Sequence, residues 1–189
     1  MKHSASDLLA MIHQFYPLDR WADEPGYSET EEDHRLMEAV RRAGSGPDYD
    51  RWESMLGRLE ARFPGCIHNT AMSLIAAGRS PSYEAICRLV NTDEVKHNVG
   101  FSVSFLAPCY VVYGWRWSHS SGYEVRFDLD ATERPYAQRI AEEIEATYGY
   151  EPMPPEVGTV LIAEVVISGT RYHYVGKGLI YDYLLTVRW

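Results

Sequence analysis

"VGFSVSFLAPCYVVYGWRWS", Val99 to Ser118, is the most apolar and aromatic passage of the chain, and Pro108 interrupts it once. Phe101, Val103 and Phe105 alternate with Ser102, Ser104 and Leu106, the two-residue period of a strand with one packed face. Serine on the opposite side predicts that helices cover only the apolar face. Proline has no amide donor, so Pro108 demotes the strand or bends it. "CYVVYGWRW" then resumes an extended pattern. From Tyr110 to Trp117 the hydrophobic residues fall on both faces, which fits a central strand covered twice or a strand that presents Tyr and Trp at a surface.

The same period flanks this stretch. "SYEAICRLV", residues 82–90, places Tyr83, Ala85, Cys87 and Leu89 on one face. On the other side, "SHSSG" turns the chain into "YEVRFDL". Connections this short are too short for parallel crossovers, so they predict an antiparallel meander.

The three-to-four-residue period of helices brackets the meander. A helix over 6–15, capped by Ser6 and stopped by Pro17, buries Leu8, Leu9, Ile12 and Phe15. A second over 30–43, capped by Ser28 or Thr30, has Leu36, Met37, Val40 and Ala43 as its inner stripe. After "GSGPD" a third, over 49–63, carries Trp52, Met55, Leu56, Leu59 and Phe63. The late helix, 132–148, is capped by Thr132, takes Pro135 in its first turn and buries a seam of Tyr136, Ile140, Ile144 and Tyr148. "EPMPPE" is a stiff connector. "VLIAEVVI", "RYHYV" and "LIYDYLLTVRW" read as closing strands, the last also as a helix. The expectation is an α+β fold with a mainly antiparallel sheet of about five to seven strands. An N-terminal helical segment and one late helix pack it. A single domain spans 1–189, with a helical part at 1–65 and the sheet at 66–189.

The formal net charge of −9 argues against nucleic-acid binding, which calls for a basic surface. The three cysteines, Cys66, Cys87 and Cys109, are odd in number and far apart, so reduced thiols are expected rather than a disulfide framework or zinc cluster. The opening "MKHSASDLLAMIHQFY" has no long apolar core and no small-residue cleavage pattern, and no apolar run is long enough to span a membrane. A cytoplasmic protein without membrane contact is the simplest expectation.

Catalytic signatures are missing. No histidine pair has HExxH or HxH spacing, and no GxSxG, GxGxxG or GxxxxGK[ST] occurs. Glu164, His173 and Asp182 lie on the predicted closing strands, where an acid beside an imidazole would make a general base. That juxtaposition supports a small hydrolase or transferase as one alternative. A small-molecule-binding domain walled by the Tyr/Trp-rich sheet is another. No cofactor and no metal are expected.

The most informative charged feature is "DRWADEPGYSETEEDH". Asp19, Asp23, Glu24, Glu29, Glu31, Glu32 and Asp33 face only Arg20, a net −6 in 16 residues. Trp21 and Tyr27 sit among these acids. Acids that steer a basic partner, with aromatic anchors between them, form a candidate protein-binding segment. Glu142, Glu143 and Glu145 make a second acidic face on the late helix. With "SETEEDHRLMEAV", "SVSFLAPCYVVYGW", "YGYEPMPPEVG" and "GLIYDYLL", the chain resembles the immunity proteins of bacterial toxin systems. The resemblance implies a small acidic cytoplasmic α+β protein that binds and neutralises a cognate toxin, and it carries over no catalytic residue.

Overall fold

The computed structural model describes residues 4–18, 20, 24–71, 80–162 and 178–185. Strands β1 (Ile67–Asn69), β2 (Ser82–Asn91), β3 (Val95–Ser104), β4 (Cys109–Ser118) and β5 (Gly122–Arg126) form an antiparallel sheet in chain order. The fold is α+β. After the helix over 134–148, the chain returns to this sheet as β6 (Glu151–Pro152), which pairs parallel with β4.

The stretch around Pro108 is a hairpin. Val103 pairs with Tyr110, and the register runs on to Val95 with Ser118. The second half of the stretch therefore comes back antiparallel to the first instead of resuming it, and Pro108 is exposed in the turn. The side-chain oxygen of Ser104 accepts the Leu106 and Ala107 amides, both at 3.1 Å, and closes the reversal.

The serine face is also buried, which corrects the one-sided sheet. Ser82, Ser102 and Ser104 are inaccessible; the Ser102 hydroxyl donates to Ser82 at 2.8 Å, and Tyr113 donates to Glu84 at 3.2 Å. The hydroxyls satisfy one another, so burying them costs little. The ring of Tyr113 lies over Gly100, within 2.5 Å of where a Cβ would stand.

Each sheet face carries its own core. Helices α2 (Glu31–Ala43), α3 (Pro47–Arg62) and α4 (Arg134–Tyr148) cover the first. There Trp52, Leu56, Leu59, Ile140 and Ile144 bury Phe101 and Val103. Trp52 stacks on Tyr83 with ring centroids 5.1 Å apart. Phe105, expected among these, is only half-buried. On the second face, Leu8 and Ile12 of α1 (Ala5–Ile12) join Val111, Tyr113, Tyr181 and Tyr183.

Helix ends depart from the expected caps. Ser4, not Ser6, caps α1, in a reciprocal pair with Asp7. Thr30 caps α2 as expected. Met37 points outward at 45% exposure instead of joining the inner stripe. Thr132 does not cap α4. Asp130 Oδ1 accepts from the Thr132 hydroxyl at 2.7 Å and from the Thr132 and Glu133 amides at 2.8 and 3.0 Å. The carboxylate takes three donors there, and the hydroxyl is one of them.

The connector continues as the short helix α5 (Pro155–Gly158) and strand β7 (Leu161–Ile162), which pairs with β8 (Gly178–Leu179). The end of the described chain is a helix, α6 (Ile180–Leu184), so the helical alternative holds there. Among the described residues no helix is long and apolar enough to cross a membrane.

Candidate functional site

The acidic segment is partly absorbed by the fold. Glu31, Glu32 and Asp33 form the first turn of α2, and Arg41 and Arg42 its last. That distribution suits the helix dipole. Glu31 pairs with Arg35 at 2.8 Å and Glu38 with Arg41 at 2.6 Å. Glu24, Glu29 and Glu31 are exposed, while Glu32 and Asp33 are half-buried. Glu24 and Glu29 have no ion pair among the described residues. Asp19, Trp21 and Asp23 lie outside those residues.

Tyr27 is no surface anchor. It sits in a 3₁₀ turn, Tyr27–Glu29, and is only 8% exposed. Burial first, then the charges of Asp33 and Glu32, push its hydroxyl up to about 12. The face on α4 is likewise spoken for: Glu142 binds Arg139, Glu143 binds Arg58, and Glu145 accepts the Tyr110 hydroxyl at 2.6 Å.

Of the acid–base trio, Glu164 and His173 lie outside the described residues. Asp182 accepts the Leu179 amide at 2.7 Å at the start of α6, a capping position.

A charged cluster that the sequence reading missed joins three strands to α4. His97 on β3 pairs in register with Arg116 on β4, and Arg126 on β5 pairs with Gly114. Glu133, just before α4, reaches over Gly114 and is fully buried. It accepts from His97 Nε2 at 2.7 Å, Arg126 Nη2 at 2.8 Å and the Asp130 amide at 2.9 Å. Arg116 donates to Asp130 and lies 3.1 Å from His97 Nε2. Burial is the largest influence on Glu133 and opposes its charge. The combined donors (the Asp130 amide, His97 and Arg126) outweigh it and hold the carboxyl below its ordinary range. Asp130 is also held well below its ordinary range, first by the Thr132 hydroxyl.

Ligand atoms of His97, Asp130 and Glu133 lie within 4.8 Å of one another, a spacing that suits a metal. The donor set does not. Two guanidinium groups already sit on these carboxylates, and a divalent cation would have to displace both. The lowered carboxyls are also weak proton acceptors. The arrangement is a buttress that pins the start of α4 to the sheet. Its only trace in the sequence is a polar residue at each outer end of an apolar strand face: His97, Arg116 and Arg126.

No family model, curated protein or solved structure matches this chain.

Proposed function

We propose that this is a non-catalytic, cytoplasmic binding protein that engages and neutralises a basic protein partner, as immunity proteins do with toxins. The observation that carries the reading is the pair of exposed acids Glu24 and Glu29, which lack ion pairs among the described residues beside the acidic start of α2. Unpaired surface acids steer a basic partner at range and are screened by salt. A shallow groove of about 640 Å³ runs along the same helix, with exposed Met37 in its lining as an apolar contact.

The test is affinity capture from the native host at low salt, with the whole chain as bait, followed by mass spectrometry. The expected result is a basic protein held by the wild type and depleted in the Glu24→Lys/Glu29→Lys variant. Rapid-mixing kinetics on that partner should then show slower association for the variant at low salt and near-equal rates at high salt. Equal capture by both chains, or an association rate that ignores the reversal, overturns the reading.

A further inference from the structure

A groove of about 470 Å³ opens on the edge of the sheet beside β4. Consecutive residues Tyr110, Val111 and Val112 all line it. Side chains alternate between faces, so the groove lies along the strand edge and reaches both cores. The topology leaves that edge open. Tyr110 O accepts the Met153 amide at 2.8 Å on the β6 side, and Gly114 pairs with Arg126 of β5. Strand alternation turns the Val112 amide and carbonyl to the same edge, between those pairings. No described backbone group pairs with them there.

The walls are apolar: Leu129 belongs to the first core, Phe127 and Met153 to the second. Arg134 and Gln138 supply polar side chains beside Tyr110, whose hydroxyl is taken by Glu145, and among the described residues no carboxylate lines the groove. Arg134 Nε donates to the Leu129 carbonyl at 2.7 Å, which orients the guanidinium. Its remaining partner is Asp128 at 3.7 Å, whose side chain is fully exposed. An ion pair of that kind is weak in water, so the outer face of the guanidinium is open to a better acceptor.

We propose that this groove binds a small organic monocarboxylate with an apolar body, its carboxylate on Arg134 and its tail against the apolar walls Phe127, Leu129 and Met153. The size falls within the range of roughly 300–1,000 Å³ found for small-ligand sites, and the pattern of apolar walls with few polar groups is theirs too. Among the described lining residues Arg134 is the charged side chain, and with its exposed partner Asp128 outside the groove it sets the sign of the head group. Neither Glu24 nor Glu29 lines this groove, so the proposal stands apart from the protein-binding reading.

The experiment titrates the full ¹⁵N-labelled chain with octanoate, octanol and octylammonium. Octanoate should saturate with a Kd below about 1 mM and shift the amides of 110–112 and 134–141. Octanol and octylammonium should bind at least about tenfold more weakly, for want of a charge-assisted bond. Arg134→Gln, a change at an exposed side chain, should weaken octanoate by about tenfold. Ala141→Phe, which fills the groove, should remove binding while the circular dichroism stays native. Octanol matching octanoate, an indifferent Arg134→Gln variant, shifts confined to other amides, or no saturation by about 10 mM would each overturn the assignment.

Discussion

Replacing Glu133 with Gln keeps the shape of the side chain and removes its charge. The carboxylate is fully buried and accepts three donors, from His97, Arg126 and the Asp130 amide. A hydrogen bond to a charged group contributes about 1.5–3 kcal/mol, and breaking a buried ion pair costs about 3–5 kcal/mol. The amide retains one acceptor oxygen, but its NH₂ then faces a donor. Arg126 and Arg116 keep 26% and 35% side-chain exposure, so water resolvates them in part. The lower end applies, a loss of about 3 kcal/mol at pH 7. The native carboxyl titrates below its ordinary range. Its contribution is therefore complete above the unfolded value of about 4.3 and is lost as the pH falls through the lower native value. A protonated Glu133 is nearly isosteric with Gln, so the gap between wild type and variant should close toward pH 3. Urea unfolding followed by tryptophan fluorescence at pH 7, 5 and 3 measures it. A gap under about 1 kcal/mol at neutral pH, or one that stays constant down to pH 3, would refute a charged, stabilising Glu133.

Gly114→Ala should destabilise by about 1–3 kcal/mol, because the new Cβ would stand 2.7 Å from the pinned Oε1 of Glu133; a neutral result in chemical denaturation would mean the carboxylate is free to move. Thr30→Ala should cost about 1 kcal/mol through loss of the α2 cap, with Thr30→Ser recovering most of it, read from the same denaturation curves. Burial pushes the Cys87 and Cys109 thiols up to about 12. A thiol reagent at pH 8 should therefore modify Cys66 at most in the native protein, and all three cysteines in urea without reductant. Fast modification of two or more native thiols would contradict the buried placement.

Local periodicity carried the long helices and the central meander, while most of the predicted closing strands lie outside the described residues. The stripes through Trp52, Leu56 and Leu59, and through Ile140 and Ile144, are buried in helices, because a 3.6-residue repeat of apolar side chains has one economical solution, a helix against a core. The alternation around Phe101 and Val103 likewise identified strands and their apolar face. Cap identity was less legible. Ser4 rather than Ser6 caps α1, and Asp130 rather than Thr132 closes the turn before α4, and several short polar side chains near a boundary all suit such roles.

Three features belong to the tertiary structure alone. Pro108 marks an interruption in the sequence, but whether the chain bends or reverses depends on Ser104 closing the turn and on the pairing of Val103 with Tyr110. Ser82 and Ser102 look like a wetted face, yet they are buried because their hydroxyls bond to each other across two strands under a second core. Glu133 finds His97, Arg116 and Arg126 only through the register of β3, β4 and β5. The composition and period of a chain state which groups must leave water. Which distant group meets each of them is a matter of long-range pairing, and a buried charge or an open strand edge exists only once that pairing is made.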